Sequence, residues 1–311
     1  MINIFDLFKQ SFDKYLDGYL KHVYSYQPLD DAYKYSILNG GKRIRPSLVF
    51  LGAYAVAPRN EFYNPEELVV ELAVGIELIH SYSLVHDDLP CMDNDSLRRG
   101  KPTTHIKYGA GMATITGDAM LNGAAEEMLS ALDNDFYMSC PFVKDNYKAQ
   151  VNATKYILKC SGMNGMIGGQ CLDIRENTKN PSKSDLIRMY KLKTSALLRG
   201  ALVAGALRFE ASEDIINAFE KFADNFGILF QIQDDILDLT STREELGKDV
   251  HQDEANDKFT YIDAVGGIDQ AKLDVMSYAD EAKAAIKTIE GKINGAEYFY
   301  ELIDNMIARK K

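Results

Sequence analysis

Apolar residues recur at three- and four-residue intervals along nearly the whole chain, and nowhere do they alternate with period two over a bounded run. That periodicity belongs to helices with one buried face. It is clear in residues 3–21, where Ile4, Phe5, Leu7, Phe8, Phe12, Tyr15, Leu16 and Leu20 share a stripe. Residues 44–56 and 66–90 are apolar enough to be buried helices, and 112–133, 145–160, 183–205, 213–240, 268–289 and 295–309 continue the pattern. Breaks fall at 58–65, 134–141, 176–184 and 241–258. There is no βαβ rhythm, no G-x-G-x-x-G, no P-loop and no internal repeat of solenoid type. The sequence therefore predicts an all-α fold, a single-domain bundle of about ten helices over residues 1–311.

Charge narrows the partners. The chain carries 35 Lys and Arg against 46 Asp and Glu, a net charge of −11 in 311 residues, with no basic block. That balance argues against nucleic acid as the main partner. It leaves room for a phosphorylated small molecule held by a local cluster of cations. No apolar run reaches the roughly 18 residues that would span a bilayer, so no transmembrane helix is expected. The first residues place Asp6 and Lys9 inside their apolar pattern, as an amphipathic helix does and a signal peptide does not. Cys91, Cys140, Cys160 and Cys171 form no C-x-x-C pair, which gives no support to a disulfide framework or a zinc site. A cytoplasmic location is expected.

Two acidic motifs end long apolar stretches. The first runs His86-Asp87-Asp88-Leu89-Pro90-Cys91-Met92-Asp93-Asn94-Asp95. Carboxylates beside a buried helix are costly to desolvate and repel one another, and a divalent cation offsets both costs. Oxygen-only ligation suits magnesium better than zinc. The Asp87-to-Asp93 spacing does not fit one face of an ideal helix, so Pro90 is expected to mark a bend that brings Asp93 back. The second motif is Gln231-Ile232-Gln233-Asp234-Asp235-Ile236-Leu237-Asp238. Here Asp234 and Asp238 are i and i+4 and share a face, with Asp235 beside them. Either cluster alone reads equally well as a solvated helix end. Two metal-binding sets facing across a cavity would instead clamp a diphosphate and stabilise charge developing on it as it leaves. His86 adjoins Asp87, but His80, His105 and His251 lack the spacing of a metal phosphohydrolase, so His86 reads as a core or supporting residue.

Cations stand near these acids. Gly40-Gly41-Lys42-Arg43-Ile44-Arg45-Pro46 places three positive side chains in four residues, with Lys42 and Arg45 sharing a face if Pro46 lies in the first helical turn. Arg98-Arg99-Gly100-Lys101 follows the first acidic motif directly, and Arg suits bidentate phosphate contact. Lys193-Thr194 falls on an expected helix, and Lys248 and Lys258 on the polar segment after the second motif.

Taken in order, GGKRIRP, HSYSLVHDDLPCMDNDSLRRGKPTTH, GMIGGQCLDI, YKLKTSALL and FGILFQIQDDILDLT resemble the trans-isoprenyl diphosphate synthase family, over roughly residues 30–310. One such motif is a modest signal, since terpene cyclases also carry an Asp-rich motif; five in order are specific. The resemblance implies helices around a central cavity, a homodimer, and head-to-tail condensation of isopentenyl diphosphate with an allylic diphosphate. It implies three magnesium ions, with manganese able to substitute. By resemblance Asp87, Asp88 and Asp93 form one metal set, and Asp234, supported by Asp235 and Asp238, the other. Arg98, Lys193, Thr194, Gln231, Lys248 and Lys258 correspond to contacts with the allylic diphosphate, and Lys42, Arg45, His80 and Arg99 to the pocket for isopentenyl diphosphate. Asp87, Asp88, Arg98, Lys193, Asp234 and Lys248 are the expected catalytic group. The chain departs from similar bacterial enzymes at His251 and at Phe259-Thr260-Tyr261-Ile262, which bears on the detail of Lys248 and Lys258.

Chain length should follow cavity depth. Tyr82 lies five residues before Asp87, about 7.5 Å along a helix at 1.5 Å per residue, and a ring there would block a growing tail. Ser83 beside it is small and adds no second block. An aromatic at this position, with the longer first motif, resembles farnesyl diphosphate synthases of bacterial type, so a C15 product is expected. Geranylgeranyl diphosphate, C20, is the near alternative. A terpene cyclase would not need the second cationic pocket or the second D-D-x-x-D. A non-catalytic partner subunit would be expected to lack some aspartates. A purely structural bundle gives no reason for two metal-ready clusters.

Overall fold

The computed structural model describes residues 3–23, 26–59, 64–176, 181–240 and 259–309. Helix α1 (Ile4–His22) starts where the Asn3 side chain accepts a hydrogen bond from the Phe5 backbone, with Asp6 in the first turn. It buries Phe8, Phe12, Leu16 and Leu20, the expected i, i+4 stripe. Helices α2 (Leu29–Ile37), α3 (Ile44–Val56) and α4 (Val70–Asp87) follow. Residues of α3 and α4 are buried on almost every side, the signature of core helices rather than surface ones. A two-strand hairpin, β1 (Leu97–Arg98) with β2 (Lys101–Pro102), leads into the short α5 (Thr104–Tyr108).

Helix α6 (Ala110–Ser130) lies along α4, and α7 (Asp135–Met138) and α8 (Asn146–Ser161) close that side. Helices α9 (Met166–Glu176) and α10 (Lys183–Tyr190) run into a π-helical turn, Lys191–Ser195, which continues as α11 (Ala196–Leu207). The longest helix, α12 (Glu213–Thr240), carries the second acidic motif at its C-terminal end. Short α13 (Tyr261–Val265), then α14 (Ile268–Lys287), which packs along α12, and α15 (Ala296–Ile307) complete the bundle. A contiguous apolar core runs from Phe8 to Met306. The architecture is all-α, with roughly ten main helices. No described helix is long and apolar enough to cross a membrane.

The differences from the sequence expectation are local. Helix α4 ends at Asp87 rather than residue 90, because the chain curls into a turn there: Leu89 N–H donates to His86 O, and Asp93 N–H donates to Asp87 O at 2.9 Å. That bend returns Asp93 to the helix end. The apolar stretch expected as one helix over 183–205 is interrupted by the π turn. Helices α2 and α9 and the hairpin were not visible in the periodicity, being short and of mixed polarity.

Candidate active site

A cavity of about 1150 Å³ opens between α3, α4, the hairpin, α9, the π turn and α12. Both acidic motifs reach it from C-terminal helix ends, where the helix dipole is itself negative, so the rim strongly favours cations. Asp87 lines it from α4, and Asp234 and Asp238 line it from α12. Burial pushes the Asp87 carboxyl up to about 6; Lys193 and Arg98 oppose the rise, and Asp93 and Asp173 add to it.

The second aspartate of each pair is engaged elsewhere. Asp88 is buried away from the main cavity and holds Arg98 in a two-toothed pair, Nε to Oδ1 at 2.8 Å and Nη2 to Oδ1 at 2.5 Å. Asp235 accepts a hydrogen bond from the Tyr190 hydroxyl at 2.6 Å and from the Tyr261 backbone N–H at 3.1 Å. Neither Asp88 nor Asp235 lines the cavity, and Asp93 is exposed beside its mouth.

Several cationic residues and a histidine share the same cavity. Lys42, Arg45, His80, Arg98 and Arg99 all line the cavity. Arg43, between them in sequence, turns inward and binds Glu77 at 2.5 Å and Ile37 O at 2.9 Å. The hairpin explains how Arg98 and Arg99 diverge. Arg99 and Gly100 both have positive φ, as in a type I′ turn, so Arg98 reaches Asp88 while Arg99 donates to Gly40 O. Gly41, at φ +128°, leaves room for this, since a Cβ there would stand 2.7 Å from Arg99 Nη1. Burial lowers the Arg45 guanidinium to about 10, and its Nε is buried without a hydrogen-bond partner among the described residues. Burial, reinforced by Arg45 and Arg99, holds His80 well below the usual imidazole range, so it is neutral.

Lys193 and Thr194 enter from the π turn, a feature that often marks functional sites. Lys193 Nζ pairs with buried Asp173, and the Thr194 hydroxyl donates to Gln231 Oε1 at 2.9 Å. The interior is apolar, with Met166, Ile167, Ile174, Phe230 and Leu237 in its wall. Tyr82 and Ser83 also line it. The Tyr82 ring is almost fully buried, stands edge-on to His86 at 5.7 Å, and has no hydrogen-bond partner for its hydroxyl among the described residues. His86 is fixed in turn by Thr114 O at 3.0 Å. Lys248, Lys258 and His251 lie outside the described residues.

A cavity with acids at two helix ends, cations around it and an apolar interior is what the five motifs require, and the comparisons agree. The sequence model described as polyprenyl synthetase matches residues 26–288. The chain belongs to the polyprenyl synthetase family. It is 33% identical to the farnesyl diphosphate synthase of Bacillus subtilis over 97% of this chain and 95% of that one. It is 38% identical to a chloroplastic geranylgeranyl pyrophosphate synthase of Catharanthus roseus, over 78% of this chain and 64% of that protein. Its fold matches a geranyltransferase of Helicobacter pylori, complexed with magnesium and isoprenyl diphosphate, with a TM-score of 0.80 and 28% identity over 98% of this chain and 95% of that one. As a polyprenyl synthetase of this type, the chain is a catalytic prenyltransferase.

Two charged residues at or beside the cavity, Asp173 and Arg309, escaped the sequence reading. Asp173 follows Gln170 by three residues, so the two share a helix face; Gln170 lines the cavity and Asp173 holds Lys193, which also lines it, and the spacing was a usable signal. Arg309 belongs to no motif and arrives only because α15 ends beside α12.

Proposed function

We propose that the protein condenses isopentenyl diphosphate head to tail with dimethylallyl or geranyl diphosphate, depends on magnesium, and releases farnesyl diphosphate and diphosphate. The observation that supports this reading is the placement of Asp87 and Asp234, from separate helices, on one largely apolar cavity that Lys42, Arg45, Arg98, Arg99 and Lys193 also line.

The donor set fits magnesium. Among the described residues no three His, Cys, Asp or Glu side chains converge as a ready-made cage. Magnesium is commonly held by one or two carboxylates together with substrate phosphate and water, and Asp87, Asp234 and Asp238, with Asp93 close by, offer that kind of partial shell. Bound there, the metal would neutralise charge on the departing diphosphate. The chain's own residues do the rest. Lys193 and Arg98 add positive charge at the leaving group, with Thr194 and Gln231 orienting it; Lys248 and Lys258 belong to the same proposed set. Lys42, Arg45, Arg99 and neutral His80 bind the diphosphate of isopentenyl diphosphate, and the unpartnered Nε of Arg45 is a donor awaiting such an acceptor. Breaking the allylic carbon–oxygen bond leaves an allylic cation beside Phe230 and the aliphatic wall, where water is excluded. The double bond of isopentenyl diphosphate attacks it, and the proton then lost passes to the released diphosphate, so no protein base is required.

Tyr82 supports a C15 product, because its ring stands in the cavity wall five residues below Asp87. The 38% identity to a geranylgeranyl pyrophosphate synthase favours C20 as the second reading. Incubation with magnesium, isopentenyl diphosphate and each allylic diphosphate tests this: farnesyl diphosphate as the end product is expected. A C20 end product would replace the C15 reading with the second one, and cyclic hydrocarbon formed without isopentenyl diphosphate would indicate a cyclase instead. A homodimer and a cytoplasmic location belong to the same reading; sedimentation and cell fractionation check them.

A further inference from the structure

Arg43 borders the same cavity as Lys42 and Arg45, yet its guanidinium is engaged by protein groups on three helices. Nη1 donates to Glu77 Oε1 on α4 at 2.5 Å. Nη2 donates at 2.9 Å to the carbonyl of Ile37, the last residue of α2, where the helix dipole favours a cation. Nε stands 3.4 Å from Asp13 Oδ1 of α1, and the guanidinium carbon lies 5.8 Å from the centre of the Phe12 ring. The Arg43 and Glu77 side chains are each 4% exposed, and removing one partner of so buried a pair leaves the other charge uncompensated. The backbone is constrained as well. Arg43 stands at the N-cap of α3 with φ +52°, a left-handed conformation unfavourable for a residue other than glycine. Gly40 and Gly41, at φ +85° and +128°, complete the turn before it. Such a conformation persists where the surroundings over-determine it, and here the side chain is fixed from three directions. Glu77 has a second use. It borders the cavity one helical turn before His80; burial works against the charge of Arg45 and Arg99, and Glu77 opposes that in both.

We propose that Arg43 is a positioning residue for the cationic pocket: held between α1, α2 and Glu77 of α4, it fixes the turn from Gly40 to Arg45 so that Lys42 and Arg45 meet the same diphosphate. The proposal rests on the reading of Lys42, Arg45, His80 and Arg99 as the pocket for isopentenyl diphosphate. A lysine at position 43 keeps the charge, but one ammonium cannot reproduce the planar fork that serves Glu77, Ile37 O and Asp13 together. The left-handed backbone then loses what holds it, and Lys42 and Arg45 lose their common direction. The first helix is drawn in by the same contacts. No described residue of α1 lines the cavity, yet through Phe12 and Asp13 this helix takes part in binding the substrate.

The test is steady-state kinetics on the full-length protein and the variants R43K, D13N and R45Q, with magnesium, isopentenyl diphosphate and geranyl diphosphate, and urea denaturation to establish that each variant is folded. R43K is expected to raise the KM for isopentenyl diphosphate about 10- to 100-fold, the range that loss of one charge-assisted hydrogen bond carries. Its kcat and its KM for geranyl diphosphate should stay within about threefold of the parent. Asp13 is 40% exposed, so D13N leaves the core intact; it should raise the same KM about two- to fivefold, as loss of a partly exposed ion pair does. R45Q should raise it at least as much as R43K. An unchanged KM for isopentenyl diphosphate in folded R43K, or in D13N should R43K not fold, overturns the proposal while the effect of R45Q keeps the pocket reading. A loss spread equally over kcat and both KM values also overturns it, since that is the mark of general destabilisation. An unchanged KM in R45Q, or no condensation by the parent, removes the reading on which the proposal rests and the proposal with it.

Discussion

Tyr82 and Glu71 are both buried in α4, and each carries a consequence that a single substitution exposes. Tyr82 has burial and Asp87 raising its hydroxyl to about 12, and it spends an unpaired hydroxyl to hold a ring in the cavity wall. Tyr82→Ala removes the ring and extends the apolar shaft toward His86. The expected outcome is a shift of the product distribution from C15 toward C20, read by chromatography of the dephosphorylated products; an active variant with unchanged product length would show that the floor lies elsewhere. Glu71 stands away from the cavity. Burial raises its carboxyl from 4.5 to about 7, with Glu127 adding to the rise and the Tyr137 hydroxyl and Arg208 opposing it. Its folded value lies above its unfolded one, so its contribution is fully present below about 4.5 and is lost as pH rises through about 7. Glu71→Gln cannot ionise. Relative to the parent it should gain stability between pH 5 and 8, by on the order of 1–3 kcal/mol, in urea titrations; a flat difference across that range would show that burial does not govern this carboxyl.

At the scale of elements, the π turn decides where two substrate-facing side chains go. Lys193 and Thr194 lie within it and both line the cavity. Two neighbours press against the turn. A Cβ on Gly169 would meet Lys193 N at 2.1 Å, and one on Gly227 would meet Ser195 Cα at 2.6 Å. Those are backbone contacts, which cannot rotate aside. Gly227→Ala should therefore push the turn away from α12, destabilising the fold by about 1–3 kcal/mol and weakening the Thr194–Gln231 hydrogen bond. The measurable result is a lower denaturant midpoint together with a higher KM for the allylic diphosphate; a normal KM in the folded variant would detach the turn from substrate positioning. The sequence showed the glycines and the Lys-Thr pair but not the turn, because the helix that follows is buried at almost every position and carries no apolar stripe whose shift would reveal the insertion. The first acidic motif behaved otherwise. Its spacing demanded a bend near Pro90, and the Asp93-to-Asp87 backbone hydrogen bond supplies one.

Over the whole molecule, the two acid sets belong to helices far apart in the chain and share only the cavity. A ligand that engages both should brace the bundle. Magnesium and pyrophosphate together, at about 100 times their Kd, should stabilise the protein by about 2.7 kcal/mol, a rise in Tm of about 4 °C for a chain of this size. Either one alone should do less, and Asp87→Asn should lose most of the joint effect in thermal denaturation; equal shifts in parent and variant would argue against Asp87 as a shared anchor. The order of motifs along the chain, their helical setting and the charge of each cluster are local properties, fixed by residue type and by the helical period, and reading residues 86–95 and 230–238 was enough to find them. Which acid of each pair meets the cavity was not local. Successive residues on a helix point about 100° apart, so Asp87 and Asp88, like Asp234 and Asp235, meet different neighbours, and the sequence offers no basis for choosing which of each pair lines the cavity. The choice falls to partners brought in from elsewhere: the hairpin delivers Arg98 to Asp88, and α10 and α13 deliver Tyr190 and the Tyr261 amide to Asp235. Arg309 reaches Asp234 from 75 residues further along the chain. Only tertiary packing can create such contacts, because no periodicity links residues that meet solely where two helix ends cross.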